Sequence, residues 1–310
     1  MNIVSAKNIG KSYAGHKALK SFSVDIPQGE IFGLLGPNGA GKTTFIRILN
    51  NIIGADTGNL TFNGEALNQN HIALIGYLPE ERGLYKTMKV KQQVLYLAQL
   101  KGMTKQDALK AIDYWFEKLE LKDWLNARVE QLSKGMAQKV QFISTVIHNP
   151  KLLILDEPFS GFDPVNMNLI KNEILELKEK GASVILSTHN MNSVEEICNR
   201  ICLINQGEKI LDGTIKEIKE QFRPNTFEIQ FKGNIIGFTN ALWTGFELLD
   251  RKQIDDQNFT ATIRLLNDNS LNKLLDTVIP HVQVERVEEV LPNMNDIFMK
   301  AITKEEVPSE

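Results

Sequence analysis

The stretch Gly36-Pro37-Asn38-Gly39-Ala40-Gly41-Lys42-Thr43-Thr44 has the form G-x-x-x-x-G-K-[ST], and no other feature constrains the chain as strongly. Ile31 to Leu35 before it reads as a buried strand, and Thr43 to Leu49 after it has helical spacing, the setting that a phosphate-binding loop requires. A triphosphate gives up its hydration only to directed donors. Glycines at 36, 39 and 41 let the backbone curl and bring successive N–H groups close, while the following helix presents about half a positive charge to the same anion. Asn38 and Ala40 complete the cradle. Lys42 is then expected at the β- and γ-phosphates, Thr43 on Mg²⁺ and Thr44 on the α-phosphate side.

Composition bounds the rest. With 310 residues, 42% hydrophobic and 24% charged, the chain has material for one large domain and a smaller one. No apolar run approaches the ~20 residues of a bilayer span, and the N-terminus lacks a signal-peptide core, so a cytosolic protein is expected unless a partner holds it elsewhere. The formal net charge of −3 gives no reason to expect nucleic-acid binding. Cys198 and Cys202 are the only cysteines. Their spacing allows one helix face near a metal, but no second Cys or His pair accompanies them, so buried apolar thiols are favoured.

In chain order, Asn2 to Gly10 and Ala18 to Ile26 alternate, and Leu60 to Glu65 contains Asn63-Gly64 between apolar pieces, so an antiparallel β layer with a tight hairpin is expected. Tyr13, at the first connection, has two readings: a ring stacked on a nucleobase, or strand-end packing. Ile72 to Leu78 is strand-like and leads into the charged loop Pro79 to Tyr85. Two helices follow, one with Val90, Val94, Leu97 and Ala98 on a face and one with Ala108, Ile112, Trp115, Phe116 and Leu119, broken at Gly102 and Thr104. Ser133 is placed to cap a third that runs through Val140 and Ile147.

Lys151 to Leu155 reads as a buried strand that delivers Asp156 and Glu157 at its end, where open α/β sheets place ligands. Two carboxylates beside a triphosphate need a cation. Asp156 fits as the outer Mg²⁺ partner through water, and Glu157 as the base that orients and deprotonates the attacking water; the other reading is a solvated strand end. A further strand, Ala182 to Thr188, ends at His189, the one of the five histidines placed to reach a γ-phosphate. His16, His71, His148 and His281 receive no role.

Together these stretches resemble the ATP-binding-cassette (ABC) ATPases over roughly residues 1 to 220. Tyr13 matches that family's adenine-stacking loop, Gly36 to Thr44 its phosphate loop, Glu80 its glutamine loop, Leu132 to Met136 its signature, Leu155 to Pro158 its Mg²⁺ and base strand, Ser160 to Asp163 its dimer loop and His189 its switch histidine. The resemblance implies a head-to-tail homodimer, or a pair with another ATP-binding subunit, in which ATP lies between one phosphate loop and the partner's Ser133 and Gly135. Ser133 with the helix N-terminus behind it forms a second anion site. The resemblance also implies an ATPase that drives a separate integral membrane permease from the inner face of the membrane. Mg²⁺ would be shared by Thr43, Asp156 and Glu80.

Two positions depart from the pattern. Glu80 stands where glutamine is usual, which puts a full charge in place of an amide dipole. The signature reads Leu-Ser-Lys-Gly-Met where Leu-Ser-Gly-Gly-Gln is usual. Lys134 is then either extra positive charge near phosphate or a solvated helix-start lysine. The Pro79 to Tyr85 loop and the Ser-Lys-Gly signature look like a bacterial export-type subgroup, one that includes sodium extrusion. The Glu80 to Tyr96 loop, with Tyr85, Met88 and three lysines, is where a permease helix is expected, against the alternative of a solvated basic loop.

Leu211 to Phe222 is expected to close the cassette with an amphipathic helix, and Arg223-Pro224-Asn225 reads as a hinge. Alternation at Phe227 to Phe231 and at Phe259 to Leu265, a helix capped by Ser270, alternating valines from Val282 to Val287 and a last helix with Ile297, Phe298 and Ala301 suggest a small accessory domain. The expected fold class is therefore α/β: a P-loop NTPase of ABC-cassette type, with a mixed core sheet, an antiparallel β layer and a helical insert at about 85–148, over residues 1–222. A small α+β domain follows over 223–303, with a frayed tail at 304–310. A soluble ABC ATPase of ribosomes or DNA is the competing class. It would be expected to show tandem cassettes, a long coiled-coil insert or a basic arm, which this chain lacks.

Overall fold

The computed structural model describes residues 1–81, 83–242, 245–267 and 269–306. Arg82 of the charged loop and residues 307–310 of the expected tail lie outside them. The chain divides into two compact units, one of Met1–Ile215 together with the chain from Ala301 onward, and one of Lys216–Lys300.

The first unit opens with β1 (Asn2–Tyr13) and β2 (His16–Pro27), which pair antiparallel about Ala14 and Gly15, both at positive φ, the two-residue turn whose twist suits a hairpin. A buried strand β3 (Ile31–Leu35) leads through the phosphate-type loop to helix α1 (Lys42–Leu49). Next come β4 (Thr57–Phe62) and β5 (Glu65–Ala66), joined by Asn63 and Gly64 at positive φ, as the Asn-Gly pair predicts. Then follow β6 (Ile75–Leu78), α2 (Val90–Leu100), α3 (Lys105–Lys118), α4 (Lys134–Val146), β7 (Leu152–Asp156), α5 (Pro164–Glu179), β8 (Ser183–Ser187), α6 (Met191–Ile197), β9 (Arg200–Asn205) and β10 (Glu208–Thr214).

Two sheets result. The antiparallel layer has the order β2-β1-β4-β5, and the mixed core sheet the order β10-β9-β3-β8-β7-β6, parallel except for β10. Helix α1 supplies Phe45, Ile46, Ile48 and Leu49 to the core that joins the two sheets, and Phe45 meets Phe22 of β2 edge to face at 5.0 Å. Helices α2 to α4 lie between β6 and β7. Thr104 and Ser133 cap α3 and α4 by accepting from the N–H groups of Asp107 and Met136. Lys118 of α3 places its Nζ 2.6 Å from both Glu173 and Glu176 of α5, with its charge 5.4 Å from the centre of the Trp115 ring.

Two sequence expectations need correction. Ile72 to Leu74 belong to a 3₁₀ turn, Gln69–Leu74, and the strand starts only at Ile75, because Asn68 caps that turn and accepts from the Asn70 N–H. Leu211 to Thr214 form the end of β10, so the closing helix, α7 (Ile215–Gln221), begins later. Cys198 and Cys202, at the end of α6 and in β9, are both buried free thiols, in line with the favoured reading of the sequence. Burial pushes the Cys198 thiol up to about 12. No described helix is long and apolar enough to cross a membrane.

The second unit contains β11 (Thr226–Gly233), α8 (Ile235–Ala241), β12 (Phe246–Gln253), β13 (Asn258–Leu265), α9 (Leu271–Val278) and β14 (Val282–Glu289). Its antiparallel sheet has the order β12-β13-β11-β14, the ferredoxin-like arrangement of a βαββαβ chain. Its core is Ile229, Phe231, Phe238, Ala261, Ile263, Leu274, Val278 and Val282. Helix α8 and strand β12 were not legible beforehand, since α8 buries only Phe238 and β12 is a largely exposed edge with a register shift at Leu248/Asp250. Helix α10 (Met294–Glu306) runs three residues into the stretch expected to fray.

His148, two residues past the end of α4, rests its Nε2 3.3 Å from the carbonyl of Ile75. Burial and the nearby charge of Lys101 push its imidazole down to about 4, from about 6.5 in an unfolded chain. Lowered in the folded state, this group contributes stability that is present above pH 6.5 and is lost as pH falls toward 4. His148→Phe should therefore show a flatter stability between pH 6.5 and 4 by urea unfolding, against a native loss of up to about 3 kcal/mol. A variant as acid-sensitive as the native chain would assign that loss to another group.

Candidate functional site

Gly36, Gly39 and Gly41 adopt φ values of 153°, 80° and 114°. Two of them are also required by space. A Cβ at Gly36 would lie 2.2 Å from the carbonyl oxygen of Ile204 in β9, and one at Gly41 2.6 Å from that of Ala18 in β2. The loop is thus wedged between the two sheets. At Gly39 a Cβ would meet nothing within 4 Å, so only the backbone conformation calls for glycine, and the chain faces open space. Gly41 is also the N-cap of α1 and brings no side chain to its first N–H groups. Lys42 Nζ turns back across the loop and donates to the carbonyls of Gly36, at 2.6 Å, and Pro37, at 3.0 Å.

A cleft of about 180 Å³ gathers Asn38, Gly39, Gly41, Lys42, Thr43 and Thr44 with Glu80, Asp156, Glu157 and His189. Four segments meet there because β3, β6, β7 and β8 run parallel and each delivers a residue of the set at the same edge. Glu157 has φ 49°, a left-handed turn fixed by its N–H donating to Ser187 O at 2.8 Å and its carbonyl accepting from Ser160 N–H at 3.2 Å. Its carboxylate is held as well. Oε2 accepts from Thr188 Oγ1 at 3.1 Å, and Oε1 accepts from the His189 N–H at 3.0 Å and lies 2.7 Å from His189 Nδ1. No sequence motif marks Thr188, although its place between a strand end and His189 carries the signal.

The charges are strongly coupled. Asp156 is 5% exposed, and burial raises its carboxyl above the usual range, helped by the neighbouring charges of Glu80 and Glu157. Burial lowers the Lys42 ammonium, against the pull of Glu157, Asp156 and Glu80. Three carboxylates beside one partly buried ammonium leave an excess of negative charge at the rim. Such a rim fits a divalent cation, with the Thr43 hydroxyl on the same wall. Among the described residues no three His, Cys, Asp or Glu side chains already form a metal set.

The other candidates lie elsewhere. Tyr13 closes β1 with its ring 42% exposed and not packed into the core, 5.8 Å from Lys11 Nζ. A second hollow beyond the loop, bordered by Gly15, His16, Lys17, Asn38, Gly39 and Ala40, lies next to it in the chain. Ser133 and Gly135 begin α4, and Asp163 caps α5 by accepting from the N–H groups of Asn166 and Val165; the bonds from the Asn166 N–H and its side-chain amide chiefly hold its carboxyl below the ordinary range. None of these three lines the cleft of its own chain. Lys134 lies over Gly161, where an added Cβ would come within 2.4 Å of its Cε.

Residues 19–160 match the ABC transporter family, and 213–302 match the C-terminal domain of DrrA1-3-like ATP-binding proteins. The uncharacterized ABC transporter ATP-binding protein YhaQ of Bacillus subtilis (strain 168) is 37% identical over 300 residues, 97% of this chain and 98% of that protein. The chain is an ABC transporter ATP-binding subunit. The linearmycin resistance ATP-binding protein LnrL of the same organism is 35% identical over 68% of this chain and 69% of its own length. The lipopolysaccharide export system ATP-binding protein LptB of Haemophilus influenzae is 31% identical over 75% of this chain and its full length. A solved ATP-binding subunit of an ABC transporter superposes with a TM-score of 0.66 at 28% identity, over 71% of this chain and 93% of its own.

The wedge predicts an asymmetry among the ABC subunit's glycines. Gly36→Ala should lower stability by more than about 2 kcal/mol, and Gly39→Ala by about 1 kcal/mol, with the second acting mainly on nucleotide affinity. Thermal unfolding with nucleotide titration reads both. Equal losses of stability would refute the wedge.

Proposed function

We propose that this subunit binds and hydrolyses Mg·ATP in a head-to-tail dimer and thereby drives an export permease at the inner face of the membrane. The observation that carries the reading is the single cleft that joins the Lys42 to Thr44 turn to Glu80, Asp156, Glu157 and His189. The loop amides, Lys42, Thr43 and Thr44 would hold the phosphates, with Tyr13 stacked on the base. Mg²⁺, held by Thr43 and, through water, by Asp156 and Glu80, would supply charge neutralisation between the phosphates.

Glu157 acts as the general base in this reading. Its carboxylate is already oriented by Thr188 and His189, so little reorganisation is needed when it takes a proton from the attacking water, a contribution of about 10²–10⁴-fold. His189, with its side chain 78% exposed, would meet the γ-phosphate from the open side. Ser133 and Gly135, remote from the cleft of their own chain, support a closed site completed by the second subunit, with Asp163 at the same boundary. Export is supported by two relatives, one named for linearmycin resistance and one for lipopolysaccharide export. For the permease, a mostly apolar groove of about 350 Å³ next to the Glu80 loop includes Ile52, Leu84, Leu97 and Leu100, and Tyr85 beside it is 56% exposed.

Two experiments test the reading. Glu157→Gln should bind ATP, lose turnover by at least about 100-fold and accumulate as an ATP-bound dimer by size exclusion; undiminished hydrolysis removes Glu157 from the base role. Purification in mild detergent should recover an integral membrane protein that stimulates the ATPase, and Tyr85→Ala with Met88→Ala should weaken its recovery. Ribosomes or DNA in its place would sink the transporter reading.

A further inference from the structure

Helix α4 carries two glutamines three residues apart, hence on one face. Gln138 donates from Nε2 to the carbonyl of Ser160, and Ser160 in turn donates its N–H to the carbonyl of Glu157 at 3.2 Å. The turn that keeps Glu157 in its left-handed conformation is therefore pinned at its far end by a side chain of α4. Gln141, 8% exposed, donates from Nε2 to the carbonyls of Pro79 at 3.3 Å and Glu81 at 3.5 Å, the residues on either side of Glu80. A small cleft of about 30 Å³ has Glu80, Gln138, Gln141, Asp156, Glu157 and Ser160 on its walls. Both amides and all three carboxylates thus border one space.

We propose that Gln138 is a positioning residue for hydrolysis: through the Ser160 carbonyl it fixes the turn that aims Glu157, while Gln141 does the same for the loop that bears Glu80. This rests on the assignment of Glu157 as base. Because α4 starts at Ser133, the helix that carries the second anion site also sets the two carboxylate loops of its own subunit. Lys134, whose stem covers Gly161, braces the same loop from the preceding turn. A lysine at this departure from the usual signature so acquires a role inside its own chain.

The bond requires a donor of glutamine's reach, which the test exploits. In the full-length chain, Gln138→Leu should lower kcat about 10-fold, with KM for ATP changed less than about twofold. Gln138→Lys, which keeps a donor, should recover most of the loss, and both variants should melt within a few degrees of the native chain. Combined with Glu157→Gln, Gln138→Leu should add no further loss, because both changes act on one group. Native turnover in Gln138→Leu, or equal losses in Gln138→Leu and Gln138→Lys, overturns the positioning role alone. Native turnover in Glu157→Gln overturns the base assignment and this role with it.

Discussion

Parallel hydrogen bonding among β3, β8, β7 and β6 is the constraint on which the rest depends. Parallel strands end at the same edge, so whatever follows each strand is delivered to one line. Here that is the glycine loop after β3, Glu80 after β6, Asp156 and Glu157 at the end of β7, and Thr188 and His189 after β8. Apolar packing on both faces reinforces this hydrogen-bonded alignment, since every residue of β3, β7 and β8 is buried. The chemistry sits where the sheet stops, and it draws its precision from residues that take no part in it.

Against that rigid edge stands an unfavourable concentration of charge. Glu80, Asp156 and Glu157 repel one another around a lysine that burial weakens. A site of this kind is incomplete by design: bound phosphate suits Lys42 and the loop amides, a divalent ion suits the carboxylates, and neither partner alone relieves both excesses. Under the proposed function the electrostatics favour nucleotide and metal entering together, while hydrogen bonds hold the Glu157 carboxylate in place.

Much of this was legible in the sequence because the informative residues are local. The glycine loop, the strand ending in Asp156 and Glu157, the cap Ser133 and the Asn63-Gly64 turn each announce themselves within a few positions. What was hidden depends on partners far apart in the chain. Nothing near Gly36 says that Ile204 closes over it, and nothing near Gln138 says that Ser160 lies opposite. Ile72 to Leu74 looked extended because three apolar positions satisfy a strand and a 3₁₀ turn alike, and only the Asn68 cap decides between them. In the second unit, β12 gave no alternation because an edge strand has little to bury.

The strand order of that second unit carries a consequence of another kind. Its first and last strands are neighbours, so Val290 N–H reaches the carbonyl of Thr226 at 2.8 Å, and Arg223 grips Glu289 through two nitrogens. The polypeptide arrives and departs through a single doorway. Joining those two ends of the sheet directly would close only a short loop at small entropic expense, so the sheet could be opened at another turn without rethreading its strands.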